Sequence, residues 1–169
     1  MARANRAQPV TSLNIDILME ASSHFHTAAD RIWRAWWEGQ GVSLGDIEQR
    51  LAGVVGSTEG EFGLAATCGD VFAGVCLAIQ SDLDERPNLS PWIAALWVEP
   101  EFRSRGIARR LVMNAIAQCA AEGTDIVYLC ARAPLRKFYL AMGWRLLEEG
   151  VGVDQLDVFQ MQTGAQPRE

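Results

Sequence analysis

A mixed α/β domain is what the sequence predicts, and three features of its 169 residues carry that expectation. The run Ile93-Ala94-Ala95-Leu96-Trp97-Val98 is apolar without interruption, as a strand covered on both faces would be. Pro100, which has no N–H to donate, ends it, and an amphipathic helical pattern opens at Ile107. Ile126 to Cys130 then forms a second apolar strand, and strand–helix–strand of this length implies a right-handed crossover with parallel pairing.

The remaining elements follow in order. Leu13 to Met19 alternates apolar and polar residues, which predicts a first strand. Residues 20–27 read as a polar loop holding His24 and His26; with no third histidine and no acid at ligand spacing, no metal site is assigned. Ala28 to Glu38 predicts a helix whose stripe of Ile32, Trp33, Trp36 and Trp37 belongs in the core. Gly39 and Gly41 break it, and Ser43 caps a second helix carrying Leu44, Ile47, Leu51 and Val54. Phe62 to Cys68 and Val71 to Ile79 make a hairpin turning at Gly69-Asp70, with Gly74 marking a bulge or a close backbone approach.

Residues 81–91 form a polar loop rich in acids, among them Asp82, Asp84 and Glu85. The crossover helix lines up Ile107, Ala108, Leu111, Val112, Ala115 and Cys119 and ends at Gly123. Pro134 starts a short helix with Leu135, Phe138, Tyr139 and Met142 on one face, closed by Gly143. Arg145 to Val151 and Gln155 to Met161 finish as an antiparallel pair. Residues 1–12 are expected to be a loose arm, 13–162 the domain and 163–169 a tail.

A net charge of −6 and a pI near 5.0 oppose generic nucleic-acid binding, which needs a basic surface, and suit a cationic partner. No apolar run is long enough to span a membrane. Cys68, Cys76, Cys119 and Cys130 each lie inside an apolar run without Cys-x-x-Cys spacing, which predicts buried free thiols and a cytoplasmic setting, with no metal.

The chemistry is concentrated where the central strand turns into its helix. Free N–H groups at a helix start, reinforced by the helix dipole, make an anion site. The Walker-type loop and the dinucleotide fingerprint are both missing. What stands is Arg103-x-x-Gly106-x-Ala108 after Leu96-x-Val98-x-Pro100. The bland alternative is a tight turn with solvated arginines. The pattern resembles the acyl-CoA-binding motif of the GNAT superfamily of N-acyltransferases. Downstream, Phe138-Tyr139-Leu140-Ala141-Met142-Gly143-Trp144 is similar to a second signature of that superfamily, and the order of elements agrees over Leu13 to Gln162.

The resemblance implies a central mixed, mostly antiparallel sheet, splayed between its fourth and fifth strands and flanked by helices on both faces. It implies an acetyl-CoA-dependent N-acetyltransferase acting on a primary amine of a small molecule or peptide. A homodimer stays open. Backbone groups of Leu96, Trp97 and Val98 would meet the pantetheine arm. The N–H groups of Arg103, Ser104, Arg105, Gly106, Ile107, Ala108 and Arg109 would cradle the pyrophosphate, with side-chain help from Arg103 and Arg105. Val98 N–H would serve as an oxyanion donor. Tyr139 would be the general acid, unless it merely packs.

Relatives often carry a Glu on the central strand where Ile93, Ala94 and Ala95 stand here, so the base stays unassigned. Glu99, Asp84 or Glu85 acting through water, or uptake of a neutral amine, are the options. Relatives also carry an Asn where Arg132 stands. Asp84 and Glu85, with Asp82, would form the acceptor side or simply a solvated loop. The missing acid also leaves room for a non-catalytic CoA-binding module.

Overall fold

Seven strands rich in valine, leucine and alanine pair into one mixed sheet in the order β1-β2-β3-β4-β5-β7-β6. The computed structural model describes residues 12–164, so most of the expected arm and the end of the expected tail lie outside the described residues. The strands are β1 (Leu13–Ile17), β2 (Phe62–Cys68), β3 (Val71–Ile79), β4 (Trp92–Val98), β5 (Ile126–Arg132), β6 (Arg145–Val151) and β7 (Leu156–Gln162). Only β4 and β5 run parallel. The helices are α1 (Phe25–Ile32), α2 (Leu44–Val55), α3 (Ile107–Ala121) and α4 (Arg136–Ala141). None among the described residues is long and apolar enough to cross a membrane.

Strand alternation sorts the side chains into separate cores. Leu64, Ala66, Cys76, Ala78, Val127 and Leu129 face α3 and α4. Their neighbours Ala65, Val75 and Leu77 face α1 and α2. A third, smaller core gathers Leu83, Trp92, Val151 and Val158, with Tyr128 and Cys130 packed against it. Here the covering comes from the loop between β3 and β4 rather than from a helix.

Several expectations needed correction. The first helix begins at Phe25, because that buried ring anchors a turn earlier, and so takes in His26. After Ile32 it widens into a π turn, Trp33–Trp37, with Glu38 N–H bonded to Trp33 C=O at 2.8 Å. The wider turn rotates the later side chains off the line of Ile32. Trp33 stays half-buried and donates to Val42 C=O at 2.7 Å, but Trp36 and Trp37 are 47% and 36% exposed instead of core.

The Pro134 helix is a 3-10 turn, Ala133–Leu135, followed by α4; Tyr139 and Met142 are buried, while Leu135 and Phe138 face outward. β1 is shorter than read, ending at Ile17, and β7 is shifted by one residue to Leu156–Gln162, since Gln155 has φ +51 in the turn. The Ser43 cap is present as a full capping box with Asp46.

The four cysteines are free, Cys76 and Cys119 buried, Cys68 and Cys130 only half-buried. Burial pushes the Cys76 thiol up to about 12 and the Cys119 thiol up to about 11, against about 8.5 in an unfolded chain. Between those limits the folded state holds protons that the unfolded state has shed, so stability falls as pH rises. This contribution is fully present below about pH 8.5 and is lost at about 1.4 kcal/mol per thiol per pH unit above it. The melting temperature should therefore drop from about pH 8.5 upward, and Cys76→Ala with Cys119→Ala should flatten the drop. An equally steep decline in the double variant would refute the assignment.

Candidate active site at the parting of two strands

β4 and β5 touch as a ladder at one place. Trp92 pairs with Tyr128, and Tyr128 N–H reaches Pro91 C=O at 3.0 Å. Beyond that pair the facing edges separate, although β5 stays fully laddered to β7 on its other side. The separation explains why Ala95, Leu96 and Trp97 are only half-buried, where the apolar run had predicted a strand covered throughout.

β4 is also irregular on its β3 side. Val75 pairs with Trp97 but Leu77 pairs with Ala94, so Cys76 alone opposes both Ala95 and Leu96. That extra residue is a bulge, and it holds Ala95 at φ +50, a conformation a residue with a Cβ rarely adopts. Gly74 supplies the close approach expected of it, since a Cβ there would stand 2.6 Å from Trp97 C=O. The Trp97 carbonyl therefore faces β3. Glu99 N–H bonds Ala73 C=O at 2.9 Å, which makes Gly74 and Val98 a non-hydrogen-bonded pair and turns the N–H and C=O of Val98 toward the parting. The Val98 carbonyl is taken by Arg103 Nε at 2.9 Å.

The chain then makes a 3-10 turn, Pro100–Phe102, and passes through two left-handed residues, Ser104 at φ +60 and Gly106 at φ +77. Left-handed residues this close curl the main chain so that successive N–H groups converge on one concavity. α3 starts with no side-chain cap and no acid in its first turn, and its first internal bond runs from Arg110 N–H to Gly106 C=O at 3.1 Å. The N–H groups of Ile107, Ala108 and Arg109 are left at an open helix terminus. A Cβ on Gly106 would meet nothing within 4 Å, so the glycine is needed for its backbone angle, and the space before it is open.

The arginines are only partly solvated. Arg103 lies over the Trp97 ring at 4.7 Å and Arg105 over Phe102 at 5.6 Å, while Arg109 is exposed. Ile107 buries its side chain in the α3 core, so only its backbone is available to a ligand.

Tyr139 is 7% exposed and packs against Phe159 and Trp144 at ring separations of 5.6 and 6.4 Å. Burial, with the Cys76 and Cys130 thiols nearby, raises its pKa well above that of a free phenol. Tyr139 shares its core with Cys76 of β3, Val98 of β4 and Leu129 of β5. α4 is held there by Arg136, whose guanidinium bonds both carboxylate oxygens of buried Asp157 on β7 at 2.7 and 3.0 Å.

The structure separates the acidic residues that the sequence left as a group. Glu99 is buried and its carboxylate is bonded to Arg31 of α1. Asp84 is exposed, and Glu85 turns its carboxylate toward Gly152 between β6 and β7. Asp82 Oδ2 accepts from Cys130 Sγ at 3.3 Å, reaching β5 itself. Arg132 lies 3.9 Å from exposed Asp154. His26 pairs with Glu48 at 2.7 Å on the surface. A groove of about 590 Å³ beside Trp97 is lined by Arg31, Arg34 and Glu99 among others. Sequence reasoning missed Arg31 and the Cys130 contact, because nothing local to either residue signals a partner so far along the chain.

The family model of the Acetyltransferase (GNAT) family matches residues 14–144. No curated protein matches the chain by sequence. Among solved structures, an aminoglycoside 6'-N-acetyltransferase complexed with coenzyme A is 17% identical, covering 92% of this chain and 99% of its own, with a TM-score of 0.71. The spermidine/spermine N-acetyltransferase SpeG from Vibrio cholerae is 13% identical over 90% of this chain and 95% of its own, TM-score 0.67. An acyl-CoA N-acyltransferase from Pseudomonas aeruginosa is 17% identical over 88% and 99%, TM-score 0.65. At these identities the likeness shows the fold alone, which is the mixed, parted sheet with helices on both faces. The family match spans most of the domain and both of its motifs begin or lie within it, and the chain belongs to the GNAT acetyltransferase family.

Proposed function

We propose that the protein transfers an acetyl group from acetyl-CoA to a primary amine of a small molecule or peptide, by direct attack. The observation that carries this reading is one continuous surface: the unladdered edge of β4 runs through Val98 into the uncapped N-terminus of α3. Such an edge accepts an extended, amide-bearing chain as an added strand. The converging N–H groups from Ser104 to Arg109 suit a pyrophosphate. Arg103 is best placed to fix the turn, since its Nε is already on Val98; Arg105 and Arg109 have charge to spare for phosphate.

In this reading the Val98 N–H meets the carbonyl oxygen as charge develops on it. Tyr139 gives its proton to the departing sulfur. Its raised pKa keeps that proton in place across the working pH range. The same burial disfavours tyrosinate, so the proton must be replaced as it leaves. An amine acceptor is supported by the names of the aminoglycoside and spermidine/spermine acetyltransferases that share the fold, and by the acidic charge of this chain. The free thiols fit a cytoplasmic setting.

Saturating acetyl-CoA should raise the melting temperature, since a ligand at a hundred times its Kd adds about 2.7 kcal/mol. Gly106→Glu, confirmed as folded, should abolish that rise by closing the concavity and opposing phosphate with charge; an undiminished rise would place the cofactor elsewhere. Tyr139→Phe should lower kcat about a hundredfold with little change in the KM for acetyl-CoA. Full kcat in that variant at every pH would reduce the hydroxyl to a packing role.

A further inference from the structure

Among the described residues, no cation pairs with the Asp82 carboxylate. Glu99 has Arg31, Glu148 has Arg86 and Asp157 has Arg136, whereas among the described residues Asp82 has the thiol of Cys130, a weak donor. The residue is exposed to solvent, yet the atoms crowding its carboxyl toward β5 raise its pKa. It is open on one side and desolvated on the other. Charged and titratable neighbours are few: Cys130 on β5, and beyond that thiol Glu85 of the same loop and Tyr139 of α4. A carboxylate so placed is stabilised by whatever cation arrives.

Its position fits that visitor. Extending the Trp92–Tyr128 register by two residues sets Cys130 level with Ala94, where the strands begin to part and one residue before the bulge. Alanines at 94 and 95 leave that part of the edge unobstructed. Cys130 belongs to the core under the β3–β4 loop, on the opposite face from α3 and Tyr139. The two groups therefore approach the parting from opposite sides of the sheet.

Resting on the N-acetyltransferase reading, we infer that Asp82, rather than Asp84 or Glu85, binds the ammonium of a cationic primary amine and takes its proton. The amine's freed lone pair then forms the N–C bond to the thioester carbon. As the C–S bond breaks, sulfur takes the Tyr139 proton, and the second proton leaving nitrogen replaces it. Asp82 releases its own proton to solvent. Amide, free thiol and one solvent proton are the products.

The test measures thiol release from acetyl-CoA by the full chain against polyamines, aminoglycosides and lysine-containing peptides. With an accepted amine, Asp82→Asn should lower kcat/KM about a hundredfold near neutral pH. The deficit should shrink about tenfold per pH unit toward the amine's own pKa, because free amine needs no base. Acetyl-CoA should still raise the melting temperature of the variant, and Asp82→Ser should behave alike. Unchanged kcat/KM, a loss equal at all pH values, or a lost acetyl-CoA shift would overturn the role of Asp82 alone. A wild-type chain that releases no thiol with any amine would overturn the N-acetyltransferase reading and this one with it.

Discussion

The structure depends on a ladder that stops. β4 and β5 share one residue pair, and the candidate site lies where the next pairs would have been. An unpaired strand edge inside a sheet exposes backbone N–H and C=O groups that must be satisfied by something. Here the Ala95 bulge skews β4 away from regular pairing, and Arg103 satisfies the Val98 carbonyl from the turn beyond. The rest of the edge is left for a partner with strand-like hydrogen bonding.

Holding such a gap open requires rigidity on both sides. β4 is bound along β3 and backed by the α3 core, with Gly74 letting the Trp97 carbonyl come close. β5 is laddered through seven residue pairs to β7. The forked Arg136–Asp157 contact fastens α4, and with it Tyr139, to the β7 half. Arg31 ties α1 to Glu99 at the far end of β4. Each half is packed internally, so the cleft is a boundary between two well-made units rather than a defect in one. The third core, under the β3–β4 loop, bridges the halves at the closed end, where the Trp92 and Tyr128 rings meet at a tilt, 5.8 Å apart.

The sequence displayed the local parts of this plan plainly. Strand, proline, turn glycine and helix lie within twenty residues, and each is dictated by backbone chemistry that acts over a few positions. It also displayed the Ser43 cap and the Gly74 approach. It did not display the π turn, because a stripe of tryptophans at α-helical spacing is indistinguishable from one that unwinds until the chain is folded. Nor did it display which acids find distant partners. Glu99 and Arg31 are 68 residues apart, and Asp82 and Cys130 are 48 apart; neither pair has a spacing rule to reveal it. The buried reading of Ala95 to Trp97 failed for the same reason, since a strand cannot announce that its neighbour will leave.

This division has a physical root that bears on substrate choice. In the reading proposed above the cofactor side uses backbone groups, which every residue possesses, so it would tolerate wide change in side chains; structures only 13–17% identical share the fold. The acceptor side, in the same reading, would use side chains delivered by loops, and those have no such protection. A single aspartate in the β3–β4 loop, Asp82, is brought onto β5 by chain geometry alone, through its contact with Cys130. Charge near a low-dielectric wall acts over a longer reach than charge in water. Family membership thus commits the protein to acyl transfer, while in the reading proposed above a few loop residues choose the molecule brought to it.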